Sequence, residues 1–251
     1  MRHNTTNNDF IYGINPINEA LDERKTIDKI LIKKGKSDEE INTIIAKCKS
    51  LNIPFLFVPS EKLDRITRKN HQGCIALSSP IDFHKIEDIL PQIFESGELP
   101  LIMILDGLTD VRNFGAISRT CLAAGVHTII IPSKNFARIG PDAVKTSAGA
   151  LLKLPICRED NLVSTVDFLQ QSGVQVVAAT EKAENNYYQI DFTRPSAIVM
   201  GAEDVGISHD LLRKSEQLVK IPMYNQFDSL NVSVAAGILS FEAVKQRLSD
   251  L

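Results

Sequence analysis

The stretch that decides the fold of this chain is Ile221-Pro-Met-Tyr-Asn-Gln-Phe-Asp-Ser-Leu-Asn-Val-Ser-Val-Ala-Ala-Gly-Ile-Leu-Ser-Phe241. Its order predicts the end of a strand, then a polar loop, then a helix. Along the helix, apolar residues recur at steps of three and four, which predicts that one face lies in the core. These positions are Leu230, Val234, Ile238, Phe241 and Val244. The small residues Ala235, Ala236 and Gly237 lie among them and allow another element to approach closely.

The loop before this helix has more polar side chains than a plain strand-to-helix connection needs. They are Asn225, Gln226, Asp228, Ser229 and Asn231. Two interpretations fit them. Either the loop is held in a fixed shape for a ligand, or Ser229 or Asn231 serves only as the N-cap of the helix.

The composition indicates a globular chain. Of its 251 residues, 43% are hydrophobic and 24% are charged, which suits one large domain or two ordinary ones. No apolar run reaches the roughly 18–20 residues of a membrane span, and the N-terminus lacks an apolar signal core. We therefore expect a cytoplasmic protein with no membrane partner. The four cysteines and five histidines show no ligand spacing, which predicts neither a metal site nor disulfides.

The net charge of −3 hides an asymmetry along the chain. Residues 1–80 contain 13 Lys and Arg against 10 Asp and Glu, whereas the remainder contains 15 against 21. A mildly basic N-terminal part is compatible with a nucleic-acid partner. Basic residues in its predicted loops and helix ends either contact phosphates or serve solubility alone: Lys33, Lys34, Lys36, Arg65, Arg68 and Lys69.

Alternating strand and helix patterns predict an α/β protein with two domains. Residues 9–79 are predicted to form a small α/β domain, in which Ser37-Asp-Glu-Glu40 is a capping box that opens a helix. Residues 80–98 are predicted to be a linker, and residues 99–251 a second α/β domain with a parallel sheet. The continuous apolar run Leu101–Leu105 is typical of a strand buried on both faces.

Three loops at the carboxyl ends of predicted strands carry the unusual residues of the second domain. They span residues 106–119, 200–207 and 221–231. In the first, Asn113 precedes a helix predicted from about Gly115 to Ala124, where it could simply be a cap, and Arg119 lies inside that helix. In the second, Glu203 lies between two glycines and could simply be solvated. Because carboxyl ends of parallel strands meet at one edge of a sheet, the loops together predict a ligand site.

Several ligand classes are excluded by missing motifs. The chain has no Gly-x-x-x-x-Gly-Lys-Ser/Thr, no Gly-x-Gly-x-x-Gly after the first strand of the second domain and no Gly-x-Ser-x-Gly. Backbone groups and neutral polar side chains suit a ligand with an adenine ring and a ribose but no phosphates. S-adenosylmethionine fits that description, although these physical arguments alone do not select it.

Three segments resemble the motifs of the SpoU (TrmH-type) RNA ribose 2′-O-methyltransferases, in that family's order and spacing. They are Asn113-Phe-Gly-Ala-Ile-Ser-Arg119, Val199-Met-Gly-Ala-Glu-Asp-Val-Gly206 and Ile221–Gly237. Lys145-Thr-Ser-Ala-Gly-Ala150 also resembles a family segment. Tyr12-Gly-Ile-Asn-Pro-Ile-Asn-Glu-Ala-Leu21 and His71-Gln-Gly-Cys-Ile-Ala76 resemble the substrate-binding domain of the RlmB-like branch. The resemblance therefore covers almost the whole chain.

The resemblance implies a fold, a methyl donor and an assembly. Residues 9–79 would bind RNA, and residues 99–251 would form a catalytic domain with a trefoil knot, acting as a homodimer with active sites at the subunit interface. The donor would be S-adenosylmethionine, without a metal. The implied donor-binding residues are Thr180, Gly201, Ile221, Met223, Ser229, Leu230 and Asn231, and the implied catalytic residues are Asn113, Arg119, Glu203, Ser229 and Asn231.

The implied reaction makes chemical sense of these residue types. A ribose 2′-hydroxyl must lose its proton as it attacks the sulfonium methyl. In proposals for the family Arg119 would be the base, but a guanidinium with a pKa above about 12 needs strong local perturbation for that role. We expect Arg119 to organise the phosphate and hydroxyl, Asn113, Ser229 and Asn231 to orient the ribose and the loops, and Glu203 to hold a loop or Arg119.

The substrate has alternatives at this point. The RlmB-like branch modifies a guanosine of the large-subunit (23S) ribosomal RNA, and the N-terminal domain favours that target. A transfer RNA substrate, or a non-catalytic RNA-binding or ribosome-assembly protein, would keep the same fold. The segment Tyr224-Asn-Gln-Phe-Asp228 departs from the family by being bulkier and more polar than its usual small residues, which bears on the base and position modified.

Overall fold

The computed structural model describes residues 9–224 and 229–249. They divide into two compact units: the first comprises the residues up to Ile81 together with Ile139–Pro141, and the second comprises the rest. Part of the polar loop predicted from the sequence, Asn225, Gln226 and Asp228, lies outside these residues. The family-specific segment 224–228 is described only at Tyr224, which is exposed.

The first unit, over its described residues, is a four-stranded mixed sheet between helices. Its elements are β1 (Phe10–Tyr12), α1 (Ile14–Asp22), β2 (Ile27–Lys33), α2 (Glu39–Ser50), β3 (Phe55–Val58), α3 (Ser60–Ile66) and β4 (Cys74–Ser78). The strand order is β1-β4-β2-β3, and only β2 and β3 are parallel. Ile30 and Ile32 face a core shared with α1 and α2, while Leu31 faces a second core with Leu63 of α3. The predicted α/β layering is confirmed.

The helix α2 does not begin with the predicted capping box. Asp38, not Ser37, is the N-cap, and its side chain accepts a hydrogen bond from the Ile41 backbone nitrogen at 3.0 Å. Both residues are competent caps. The three-residue spacing from Ser37 to Glu40 had indicated Ser37 as the N-cap. In the structure the helix begins one residue later, so Asp38 takes the N-cap position.

The second unit, as far as it is described, is a seven-stranded sheet in which every pair is parallel. The elements are α4 (Ile86–Glu95), β5 (Leu101–Asp106), α5 (Val111–Ala123), β6 (Thr128–Pro132), α6 (Pro141–Thr146), β7 (Ile156–Glu159), α7 (Leu162–Gln171), β8 (Gln175–Ala179), β9 (Asn185–Asn186), β10 (Ser196–Gly201), α8 (His209–Lys214), β11 (Gln217–Lys220) and α9 (Val232–Ser249). The strand order is β7-β6-β5-β10-β8-β11-β9. The predicted parallel α/β sheet is confirmed. The trefoil knot and the handedness of the crossovers stay predictions.

The segment predicted as a linker, 80–98, contains the helix α4. Ile86 and Leu90 of α4 are buried in the same core as Ile102 and Ile104 of β5. His84 pairs with Cys157 beside β7. The folded part of this segment therefore packs within the second unit.

The helix α5 begins four residues earlier than predicted. Asp110 is its N-cap and accepts a hydrogen bond from the Arg112 backbone nitrogen. Asn113 therefore lies in the first turn of α5, and its interpretation as a cap is wrong. Its side chain is therefore not used for capping and accepts a hydrogen bond from Asn231 instead.

The helix α9 buries a different face from the one predicted. The residues at steps of three and four that enter the core are Val232, Ala236, Leu239 and Ala243. Val234 and Phe241 of the predicted core face are 50% and 48% exposed. The predicted close approach is confirmed, because α9 packs against α5 and a Cβ on Gly237 would lie 3.5 Å from Thr120. Gly237 stands where α9 passes α5, because a larger side chain there would meet that helix.

The far end of α9 is anchored by Arg247. Its guanidinium donates hydrogen bonds to the backbone oxygens of Leu99, Pro100, Phe192 and Arg194, at 2.7–3.1 Å. These oxygens lie just before β5 and β10. Burial lowers the pKa of this guanidinium from its ordinary value, but an arginine stays charged in proteins. Arg247 thus fixes the C-terminal turn of α9 at the amino end of the sheet.

We predict that Arg247→Met lowers the free energy of unfolding by roughly 2–4 kcal/mol, because it leaves carbonyl oxygens without their charged donor. Arg213→Met removes only an exposed ion pair with Asp210, so its effect should stay within about 0.5 kcal/mol. Urea unfolding followed by circular dichroism measures both. Equal stability of the two variants would contradict the anchoring role.

Candidate active site

A cavity of about 900 Å³ opens at the carboxyl ends of β8, β10 and β11. The lining residues after β8 are Thr180, Glu181 and Lys182, those after β10 run from Gly201 to Ile207, and those around the third loop include Ile221, Met223, Ser229 and Leu230. The predicted crevice at this edge of the sheet is therefore present. We call it the carboxyl-end cavity. In the described part of the chain no three metal-ligating side chains converge.

The carboxyl-end cavity brings together most of the residues predicted to bind the donor. Thr180, Gly201, Ile221, Met223, Ser229 and Leu230 all line it, and so does Glu203. Asn231, Asn113 and Arg119 do not belong to its lining. The predicted site is thus divided between a cavity and a polar group of side chains beside it.

The loop after β10, residues 201–208, is tightly closed. Gly201 allows this closure, because a Cβ there would lie 2.1 Å from the Gly206 carbonyl carbon. The Gly206 nitrogen donates to the Ala202 oxygen at 2.8 Å, and Gly206 has a φ of +73° that favours glycine. At the end of the loop the Ser208 nitrogen donates to the Asp106 carboxylate at 2.8 Å. The loop therefore holds Glu203 on a short, braced segment.

Asn113, Glu203 and Asn231 form one hydrogen-bonded group, which we call the polar trio. The Asn231 Nδ2 donates to Asn113 Oδ1 at 3.0 Å and also to Glu203 Oε1. The Val232 backbone nitrogen donates to the same Glu203 oxygen at 3.3 Å. The first, second and third loops predicted from the sequence therefore meet through these side chains.

Asn231 also caps the helix α9. It directly precedes the helix, and its Oδ1 accepts hydrogen bonds from the backbone nitrogen and the hydroxyl of Ser233. Capping and holding the loops are therefore compatible roles. The amide oxygen of Asn231 caps α9, and its amide nitrogen joins the other two loops. Ser229 is exposed and lines the cavity without capping α9.

Arg119 lies on the exposed surface of α5. Within residues 9–224 and 229–249 its guanidinium makes no hydrogen bond or ion pair, so it is not joined to Glu203. The expectation that Glu203 holds Arg119 is not met in this structure, whereas the alternative expectation, that Glu203 holds a loop, agrees with its bonds to Asn231 and Val232.

The helix that carries Asn113 and Arg119 is positioned by a contact that the sequence analysis did not identify. A Cβ on Gly115 would lie 2.1 Å from the Thr146 hydroxyl oxygen, so glycine is required where α5 passes the end of α6. The Thr146 hydroxyl is 2.9 Å from the Asp142 carbonyl oxygen and 3.4 Å from that of Val111. Asp106 was missed as well. For Gly115 and Thr146 the available signal was their position inside segments that resemble the family; Asp106 lies outside those segments.

Comparison with known proteins agrees with this architecture. Residues 100–241 match the SpoU rRNA Methylase family, and residues 10–83 match the family described as RNA 2'-O ribose methyltransferase substrate binding. The AdoMet-bound rRNA methyltransferase from Sinorhizobium meliloti has a similar crystal structure, with a TM-score of 0.60 at 28% identity, covering 94% of this chain and 86% of that one.

Two curated relatives extend over nearly the whole chain. The 23S rRNA (guanosine-2'-O-)-methyltransferase RlmB of Photorhabdus laumondii is 35% identical and covers 96% of this chain and 99% of its own. YacO of Bacillus subtilis, whose name assigns it to the TrmH family as a tRNA/rRNA methyltransferase, is 31% identical and covers 95% and 96%. This chain therefore belongs to the SpoU rRNA Methylase family and is a SAM-dependent RNA ribose 2′-O-methyltransferase with that family's substrate-binding domain.

Proposed function

We propose that this enzyme methylates the ribose 2′-hydroxyl of a guanosine in 23S ribosomal RNA. The observation that carries the proposal is the position of the polar trio at the edge of the carboxyl-end cavity, where a methyl donor and a ribose can meet. The full-length match to an RlmB enzyme supports the guanosine of 23S rRNA as the target. Such a substrate implies a cytoplasmic enzyme.

The carboxyl-end cavity suits S-adenosylmethionine in size and charge. Its charged lining comprises three carboxylates, of Glu181, Glu203 and Asp204, against two lysines, Lys182 and Lys220. This balance favours a cationic sulfonium over a phosphate-bearing ligand. Thr180, Gly201, Ile221, Met223, Ser229 and Leu230 would hold the donor, and Asn231 would support them from α9. When bound, S-adenosylmethionine supplies an electrophilic methyl group.

Transfer RNA is the second candidate substrate. The name of YacO allows either class of RNA, and that relative also covers nearly the whole chain. The second unit alone does not distinguish ribosomal from transfer RNA, because the nucleophile is a ribose 2′-hydroxyl in each. The first unit is therefore the part that would select the RNA.

The first unit offers a basic surface for RNA at one end of its sheet. Lys33 ends β2 and Lys34 follows it, and Arg68 and Lys69 come after α3; all four are exposed. Lys69 lies over the Tyr12 ring, with its nitrogen 5.7 Å from the ring centroid. We propose that this surface contacts phosphates. At the opposite end of the sheet the exposed Lys25 is paired with Glu23, and the half-buried Lys47 is paired with Asp22.

We also propose that the enzyme is a homodimer that uses the exposed face of α9. Val234, Phe241 and Leu248 are 50%, 48% and 64% exposed and follow one another at steps of seven. Seven residues make two helical turns, so these side chains form one apolar stripe. A second copy of the chain would cover the stripe and bring its own residues close to the carboxyl-end cavity.

The dimer is tested by Phe241→Asp, which should convert it to a monomer because a carboxylate would be buried in an apolar interface. Phe57→Asp changes an equally exposed phenylalanine, 46% against 48%, on the first unit and should leave the dimer intact. Sedimentation equilibrium measures the mass of each. A monomeric wild type, or a dimeric Phe241→Asp variant, would contradict this interface.

The reaction and the substrate are tested with purified enzyme, labelled S-adenosylmethionine and undermodified total RNA, followed by nuclease mapping. We expect label on the ribose 2′-oxygen of a single 23S guanosine. Label on transfer RNA would show that the substrate is transfer RNA, while the methyl-transfer reaction would stand. Absence of both label and donor binding would favour the non-catalytic alternative.

Arg119 is expected to bind a phosphate of the RNA through its free guanidinium. Arg119→Lys keeps the charge but loses the planar fork, so turnover should fall roughly 10²-fold or more, as for the loss of a transition-state donor. Arg213→Lys, on α8, is the matched control and should turn over normally. Near-normal turnover of Arg119→Lys would refute a special role of the guanidinium.

A further inference from the structure

The two most exposed large apolar side chains in the described part of the chain lie at the mouth of the carboxyl-end cavity. Tyr224 is 90% exposed and Val205 is 79% exposed. Val205 belongs to the cavity lining, and Tyr224 directly follows Met223, which also lines the cavity and is 36% exposed. The three residues come from two loops, one after β10 and one after β11. We call them the apolar rim.

The fold itself does not use the apolar rim. Among the residues that the structure describes, the Tyr224 ring stacks on no other aromatic ring and its hydroxyl makes no hydrogen bond. The loop that carries Val205 is closed by other atoms, since the Gly206 nitrogen donates to the Ala202 oxygen. Exposure of large apolar side chains to water is unfavourable, and contiguous exposed apolar patches mark binding sites. The apolar rim is therefore better explained by a ligand than by folding.

The methyl donor does not account for Tyr224. The residues that line the cavity, and that would hold the donor, include Met223 but not Tyr224. The tyrosine ring therefore stands outside the volume that a small molecule in the cavity would fill. A second copy of the chain is not a suitable cover either, because it would close the mouth through which an RNA has to reach the donor.

The RNA must place one nucleotide at this mouth, because its ribose 2′-hydroxyl has to reach the methyl group of the donor. Glu203 and Asp204 directly precede Val205, and both are exposed. Their charges repel a phosphate at the apolar rim. A base is flat and uncharged, and every base has a face that stacks favourably on an aromatic side chain. The base is therefore the part of the nucleotide that fits the apolar rim.

We propose that Tyr224 is a specificity-determining residue whose ring stacks on the base of the nucleotide that is methylated, an inference that rests on the proposed function. Val205 offers that base a second apolar contact from the loop after β10. A purine overlaps the ring more than a pyrimidine does, so the apolar rim favours guanosine or adenosine at the methylated position. Tyr224 acts on the binding of the RNA and takes no part in moving the proton or the methyl group.

The ring is tested with Tyr224→Leu, which keeps an apolar side chain without an aromatic face, and with Tyr224→Phe, which keeps the face. With undermodified total RNA, Tyr224→Leu should raise the KM for RNA roughly 10- to 100-fold, while Tyr224→Phe should stay within about 2-fold of the wild type. Neither change should alter the dissociation constant of S-adenosylmethionine. Phe94→Leu removes a ring that is 41% exposed before the amino end of β5. It is the matched control and should leave the KM for RNA unchanged.

Three results would overturn the proposal. A normal KM for RNA in Tyr224→Leu would show that the ring is not used, and equal losses in both variants would show that the hydroxyl is used instead. Weaker binding of S-adenosylmethionine by Tyr224→Leu would show that the ring contacts the donor. An inactive wild type refutes the proposed function instead, and in that case RNA dissociation constants from filter binding still test the ring.

The base that Tyr224 contacts is identified by a double-mutant cycle between protein and RNA. The RNA is a fragment that contains the methylated nucleotide, made once with its base and once with an abasic ribose at that position. Removal of the base should weaken binding to the wild type roughly 10- to 100-fold. It should weaken binding to Tyr224→Leu by less than about 3-fold, because the stacking partner is already absent. Fully additive losses would show that Tyr224 does not contact this base and would overturn the assignment.

Discussion

The Asn231 side chain is the interaction on which the rest of the site depends. It joins α5 and the loop after β10 to the start of α9. Its partners Asn113 and Glu203 lie 118 and 28 positions before it in the chain. One amide accomplishes this because its oxygen caps α9 while its nitrogen bridges Asn113 and Glu203. Capping a helix and assembling an active site usually place different demands on a residue. Here the same group meets both, so the arrangement of Asn113 and Glu203 is coupled to the start of the last helix.

That coupling is effective only because α9 is held at both ends. Its 18 residues span about 27 Å, from the polar trio at the carboxyl edge of the sheet to the backbone oxygens bound by Arg247 at the amino edge. Between these points, Ala236 and Ala243 allow the helix to lie close to its neighbours. Displacement of the helix would have to break contacts at both edges of the sheet. The polar trio and the carboxyl-end cavity are therefore tied to contacts at both ends of the sheet.

The strands and the meeting of three polar loops at one edge of the sheet were predictable because they depend on hydrophobic patterning, whereas the individual site residues came from the resemblance to the family. Leu101–Leu105 could only be a doubly buried strand, and the loops with Asn113, Glu203 and Asn231 had to meet once the sheet was parallel. The buried face of α9 was not predictable in the same way, since apolar residues lie on more than one side of the helix. In the structure Val232, Ala236, Leu239 and Ala243 face the core, and Val234 and Phe241 are exposed. Asp106 and Thr146 were missed because their partners are backbone atoms, which no sequence pattern reveals.

The exposed apolar stripe on α9 and the polar trio both depend on how α9 packs against α5. If Val234 and Phe241 had faced the core, α9 would stand further from α5, and Asn231 would not reach Asn113 on that helix. Gly237 lets the two helices come close together, while Val234 and Phe241 on another face of α9 point outward. The cost of exposing them is recovered if a second copy covers them. The close approach of α9 to α5 and the proposed dimer interface then have one origin, the distribution of small and large residues around a single helix.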